Sequence, residues 1–141
     1  MQMPLEMLLV EDNEGDVEMT IRALRDQKPA CNISVVNNGA EALDFLGKRG
    51  TYADAPSPRI ILLDLNMPRM DGKKFLEVVK EDPKSKAIPV VMLTSSNSPT
   101  DIRDCYERHA SYYVVKPFDG MEFSDVVRQV VRFWGSVGQL P

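Results

Sequence analysis

The chain is expected to fold as an α/β domain, a five-stranded parallel sheet with helices on both faces. Three observations support this. Short apolar runs rich in β-branched and aromatic residues recur at 5–10, 33–36, 60–63, 90–93 and 112–115, as buried strands do. Stretches with an apolar period near 3.6 lie between them. The 141 residues, 43 % of them hydrophobic, can bury roughly two-thirds of the unfolded surface without disulfides or a structural metal.

After the first strand, Asn13 offers an N-cap with the acid Asp16 three residues on, and Val17, Ile21 and Leu24 share one helical face. The second strand, 33–36, leads to a helix marked by Leu43 and Leu46. Residues 50–58 are too polar and proline-rich for an element and read as a loop. The third strand, 60–63, precedes a helix carrying Phe75, Leu76 and Val79, and the fourth, 90–93, a helix carrying Ile102, Cys105 and Tyr106. That helix opens on Ser98-Pro99-Thr100-Asp101, a cap, a first-turn proline and an acid at N3. After the fifth strand, 112–115, Phe123, Val126, Val127, Val130, Val131 and Trp134 form the clearest stripe. Residues 1–141 read as one domain, with 135–141 as a C-terminal tail. Each strand is apolar enough to be covered on both faces.

Composition narrows the function. With 17 Lys+Arg against 21 Asp+Glu, net charge −4, the dispersed cations make no phosphate-binding face, so no direct nucleic-acid partner is expected. No apolar run is longer than four residues, the length of 60–63, so no membrane contact is expected, and the N-terminus has no secretory pattern, which points to the cytoplasm. Cys31 and Cys105 belong to no metal or redox spacing and read as structural thiols. Glycine-rich nucleotide motifs are absent. An EF-hand beginning at Asp64 fails at Pro68, Arg69 and Phe75. The single His109 reads as a surface or partly buried residue of the fourth helix, without a catalytic partner.

In parallel sheets of this kind ligands bind beyond the carboxyl ends of the strands. The first strand ends in Glu11-Asp12, the third in Asp64, the fourth in Thr94-Ser95-Ser96 and the fifth in Lys116-Pro117. Taken singly, each has an ordinary explanation as a helix cap or a solvated charge. Together they place three carboxylates, a hydroxyl and an ammonium on one rim. Two carboxylates about 4 Å apart repel by about 4 kcal/mol at an effective dielectric near 20, so the rim needs counter-charge. Lys116 and one divalent cation balance Glu11, Asp12 and Asp64, and the hard oxygen donors favour Mg²⁺ over zinc. Such a rim suits a phosphoryl group, with Asp64 as nucleophile forming an acyl phosphate and Lys116 and Thr94 holding its oxygens.

These residues resemble the receiver domain of two-component response regulators. Leu8-Leu9-Val10-Glu11-Asp12-Asn13 looks like the acidic-pair strand, and the stretch from Ile60-Ile61-Leu62-Leu63-Asp64 to Met70-Asp71-Gly72 like the segment around the phosphorylated aspartate. Val91-Met92-Leu93-Thr94-Ser95 and Tyr113-Val114-Val115-Lys116-Pro117-Phe118 look like the remaining two family segments. The resemblance implies a flavodoxin-like (βα)5 fold with strand order 2-1-3-4-5, phosphorylation of Asp64 by a histidine kinase, and self-catalysed transfer and hydrolysis. It also implies Mg²⁺, with Mn²⁺ as a possible substitute, held by Asp12, Asp64, Glu11 largely through water, and the backbone carbonyl of Asn66. Thr94 and Tyr113 would be the switch pair, and Asn66 and Ser96 would tune dephosphorylation. The loop 50–58, the segment 81–89 and the ending Phe133-Trp134-Gly135 to Leu140-Pro141 are similar to single-domain regulators that partner phytochrome-type histidine kinases.

With no output domain expected, the signal would leave by protein contact. The kinase would dock on Gly15, Asp16 and Met19 of the first helix and on Pro117 and Phe118. A homodimer through helix 4, strand 5, helix 5 and the tail would use Ile102, Tyr106, Phe133, Trp134, Val137 and Leu140, while Phe123 reads as core. The rival readings are a receiver-fold interaction module that never takes phosphate, and a small phosphatase of the haloacid-dehalogenase type. The phosphatase would need a second Asp two residues after the nucleophile, where this chain has Asn66.

Overall fold

The structure is a computed structural model that describes residues 4–27 and 30–137, with side chains described to residue 135. Five parallel strands, β1 (Leu5–Val10), β2 (Cys31–Val36), β3 (Ile60–Leu63), β4 (Val90–Thr94) and β5 (Tyr112–Val115), lie in the order β2-β1-β3-β4-β5. Between and after them run α1 (Glu14–Leu24), α2 (Gly39–Leu46), α3 (Gly72–Glu81), α4 (Pro99–Glu107) and α5 (Gly120–Arg132). The α/β fold, the parallel sheet and the 2-1-3-4-5 order are as the sequence and its resemblance implied. Among the described residues no helix is long and apolar enough to cross a membrane.

The sheet separates two cores. On one side Leu8, Val10, Ile61, Leu63 and Met92 meet Phe45, Phe75 and Leu76. On the other, Met7, Leu9, Ile60, Leu62 and Val91 meet Leu24, Phe123 and Val127. Side chains alternate across each strand, so β1, β3 and β4, which carry apolar residues at both parities, are covered twice. The expectation that every strand is covered on both faces fails at the edges. Most of β2 is only half-buried, and Tyr112 and Val115 of β5 are exposed. The strand order is the reason: β2 and β5 each lack a neighbour on one side.

Five local expectations are corrected. β2 begins two residues before 33 and β4 extends one residue beyond 93. Within the 50–58 loop, Gly50–Tyr52 forms one 3-10 turn, anchored by Tyr52, whose ring meets Phe45 edge-on and whose hydroxyl donates to Glu41 at 2.5 Å. His109 lies beyond α4 rather than on it, at φ 69°. Its N–H donates to the Tyr106 carbonyl and that of Ala110 to the Cys105 carbonyl, a Schellman closure with histidine in the left-handed position usually held by glycine. Finally, the expected tail from 135 begins as helix, because Phe133–Val137 continues α5 as a π-helical turn.

Every helix opens on a side-chain cap. Asn13, Asn38, Asp71, Ser98 and Asp119 each accept a backbone N–H of the following first turn, and such a cap is worth about 1 kcal/mol. In a parallel sheet these N-termini all face the rim reached by the strand ends, adding partial positive charge there. Gly72, the first residue of α3, lets the helix close on the end of β3. A Cβ there would lie 2.5 Å from the Asp64 carbonyl oxygen and 2.8 Å from Leu65 Cα, backbone atoms with no freedom to move aside. Gly72→Ala is therefore expected to cost about 1–3 kcal/mol in urea unfolding. Gly120→Ala, where the nearest atom is 3.8 Å away, should leave the midpoint near wild type.

Candidate functional site

Parallel pairing in register sets the level of the rim. Val10 lies opposite Leu63, and the Asp64 N–H donates to the Val10 carbonyl. Glu11, Asp12 and Asp64 therefore leave adjacent strands at one height, and on either side of β1 the chain runs to different neighbours, the switch point where such sheets bind ligands. One carboxylate oxygen from each of the three lies within 4.8 Å of the other two. Thr94 and Val115 are likewise paired, and the Lys116 N–H donates to the Thr94 carbonyl. That brings the ammonium to the same edge.

Lys116 is the cation of the site. Its Nζ lies 2.5 Å from Glu11 Oε1, 2.8 Å from Asp16 Oδ2 and 3.6 Å from Asp64 Oδ2, with only 9 % of its side chain exposed. Asp64 is held from its other oxygen, which accepts the Leu65 N–H at 2.8 Å. Glu11 also accepts the Asn13 N–H.

Two carboxylates at ~4.8 Å repel by about 3.5 kcal/mol at an effective dielectric near 20, and burial adds a desolvation cost to the charged forms. Burial pushes the Glu11 carboxyl up, to about 7; the Lys116 hydrogen bond opposes the rise and the Asp64 charge adds to it. Burial alone would lower Lys116, but its hydrogen bonds to Asp16 and Glu11 and the charge of Asp64 outweigh that and hold it above the ordinary lysine range. A raised acid beside a raised base marks a site short of positive charge.

The donor set fits a hard divalent cation. Three carboxylates converge, and Asp12 is exposed at the mouth, leaving space for water. Asn66, whose backbone carbonyl is the fourth expected ligand, is exposed in the loop following Asp64. The ledger read from the sequence nevertheless needs amendment. Asp16, expected as the acid of the α1 first turn and as part of a docking surface, is a third carboxylate on the lysine and a fourth at the site. With it included, Lys116 and one divalent ion leave a negative charge uncompensated. The clue was present in the sequence, since Asp16 stands at the N3 position of α1, but its partner is 100 residues away.

The other expected residues divide. Thr94 is fully buried, its hydroxyl accepting the Ser96 N–H at 3.4 Å. Tyr113 is buried as well, its hydroxyl donating to the Ser96 carbonyl at 2.8 Å. The Ser96 hydroxyl is engaged with Asp101 at 2.6 Å, a partner not read from the sequence. Gly15 and Phe118 are exposed, and Met19 and Pro117 half-buried. Tyr106 and Phe133 are exposed, at 44 % and 52 %, whereas Ile102 and Trp134 pack in part against the two cores and Phe123 is buried, as expected. Leu140 and the side chain of Val137 lie outside the described residues.

Comparison with known proteins follows the same lines. The family described as "Response regulator receiver domain" matches residues 7–128. The response regulator Rcp1 of Synechocystis sp. is 34 % identical over 138 residues, spanning 98 % of this chain and 94 % of its own. The phosphorylated cyanobacterial phytochrome response regulator RcpA superposes with a TM-score of 0.96 at 36 % identity, covering 99 % of both chains. The Mn²⁺-bound form of Rcp1 superposes with a TM-score of 0.93 at 34 % identity, over 98 % of this chain and 99 % of that one.

Removing the central cation tests the electrostatic balance. Lys116→Met leaves Glu11, Asp16 and Asp64 facing one another and is expected to lower stability by about 3 kcal/mol in urea unfolding without divalent ions. Saturating Mg²⁺ should recover part of that loss, because a ligand that binds only the folded state stabilises it.

Proposed function

The chain belongs to the response regulator receiver family, and from that premise we propose that it is a stand-alone phosphoacceptor regulator of a phytochrome-type histidine kinase. The observation that carries the reading is the meeting of Glu11, Asp12, Asp64 and Lys116 at one strand edge. Two features of the relatives support the pathway. Rcp1 and RcpA match this chain over nearly their whole lengths, and RcpA is a regulator of a cyanobacterial phytochrome.

The chemistry follows from the side chains. Asp64, buried but not sealed at 9 % exposure, attacks the phosphorus of a phosphohistidine. An acyl phosphate O–P bond forms as the N–P bond breaks, and the departing imidazole keeps the electron pair. Lys116 leaves its carboxylate partners to meet a phosphoryl oxygen, and the Thr94 hydroxyl turns to another. Mg²⁺, or Mn²⁺ as bound in the relative Rcp1, would be held by Glu11, Asp12, Asp64 and the Asn66 carbonyl and would neutralise charge on the incoming group. Hydrolysis of the acyl phosphate is catalysed by the same residues, with Asn66 and Ser96 beside the path of water.

Kinase docking is assigned to Gly15, Asp16 and Met19 of α1 with Pro117 and the fully exposed Phe118. The output surface is a homodimer face made by α4, β5 and α5. A groove between β5 and α5 is lined by Tyr112, Val115, Val126, Val130, Phe133 and Trp134, and Tyr106 and Ile102 of α4 are assigned to the same dimer face. Val137 and Leu140 complete the assignment.

Incubation with acetyl phosphate and Mg²⁺ should add one phosphoryl group to the intact mass. Asp64→Asn should add none, and chelation of the metal should abolish labelling. Catalytic turnover of a phosphomonoester, or labelling that survives in Asp64→Asn, would overturn the reading. For the dimer, sedimentation at micromolar concentration is expected to give a two-fold species that Phe133→Ala and Tyr106→Ala shift toward monomer.

A further inference from the structure

Away from the charged rim, a second polar chain crosses from α3 to β5. Lys73, in the first turn of α3, places its Nζ 2.7 Å from Asp101 Oδ1 and 2.9 Å from Asp104 Oδ2, both on α4. The other oxygen of Asp101 accepts the Ser96 hydroxyl at 2.6 Å. Ser96 is the junction. Its hydroxyl accepts the Ser98 N–H, its own N–H donates to the Thr94 hydroxyl, and its carbonyl accepts the Tyr113 hydroxyl.

Both ends of this chain return to the phosphoacceptor. Lys73 follows Gly72, whose backbone is packed against the carbonyl of Asp64, and Thr94 ends the strand beside β3. We infer that Lys73 and Asp101 are positioning residues, which hold Ser96 so that its backbone keeps Thr94 and Tyr113 turned inward beside Asp64. The inference deepens the receiver reading and rests on it for the roles of Thr94 and Tyr113.

Geometry separates this from an ordinary surface ion pair. The pair is partly covered, at 28 % and 29 % side-chain exposure, and the carboxylate serves two partners with its two oxygens. The protonation equilibria agree. Hydrogen bonds to Asp101 and then Asp104 raise Lys73, whereas hydrogen bonds from Lys73 and then Ser96 lower Asp101. Asp104 supplies an internal control, because it shares the lysine but makes no bond to Ser96.

The test uses the unphosphorylated full chain labelled with 3-fluorotyrosine, with the Tyr113 resonance assigned by its loss in Tyr113→Phe. In wild type the Tyr113 fluorine should show little solvent isotope shift. In Lys73→Met and Asp101→Asn that shift should rise toward the value of exposed Tyr112. Ser96→Ala, which loses the bonds to Asp101 and from the Ser98 N–H, should produce at least the same change, and combining it with Asp101→Asn should add nothing at Tyr113, since both act through the Ser96–Asp101 contact. Lys73→Arg and Asp104→Asn should keep the wild-type signal. An unmoved Tyr113 in Lys73→Met and Asp101→Asn would overturn the inference, as would an equal displacement in Asp104→Asn. No step requires phosphate, so a failed acetyl phosphate labelling would tell against the receiver reading without altering this outcome.

Discussion

Crowding of like charge at the carboxyl edge of the sheet is the constraint on which the rest depends. Three carboxylates from β1 and β3 converge within 4.8 Å, and a fourth, Asp16, joins them through Lys116. In water such a group would separate. Here backbone pairing between Val10 and Leu63 holds it together, so hydrogen-bond energy spread through the sheet sustains local electrostatic strain. Burial, with the Asp64 charge adding to it, raises the Glu11 carboxyl at this edge. A cation relieves the strain, and a phosphoryl group brought to Asp64 becomes tolerable only alongside such relief.

The surrounding architecture keeps the strained edge rigid. Asp64 is gripped through its backbone by the Val10 carbonyl and through its side chain by the Leu65 N–H. Gly72 admits α3 against the same segment at a distance no Cβ would allow. The capped N-termini of the helices add their partial positive charge to this side of the sheet. Beside this edge Thr94 and Tyr113, on paired strands β4 and β5, are further linked through Ser96.

The edge strand β5 leaves apolar side chains exposed. β1, β3 and β4 are spent on the core, while β5 retains exposed Tyr112 and Val115 next to Phe133. Tyr113, between those two exposed residues, points inward to Ser96. Alternation along one short strand thus sets the inward residue beside outward ones.

Periodicity and strand-end chemistry, both local properties, were enough to read the sheet, its helices, the order of events along the chain and the cluster of Glu11, Asp12, Asp64, Thr94 and Lys116. Apolar runs report burial directly, and in a parallel sheet the residue after each run must arrive at the common edge. The caps Asn13 and Ser98 were legible for a similar reason, since a cap and the N–H that donates to it lie three residues apart. Pairings that depend on two side chains meeting across the fold were not legible. Asp16 reaches Lys116 over 100 residues, and Lys73 reaches Asp104 over 31. Nor does sequence reveal that β2 and β5 are left half-covered, or that a π-helical turn carries α5 past Arg132. A side chain's chemistry is intrinsic to the residue, but its partner is chosen by packing, and packing exists only once distant segments have met.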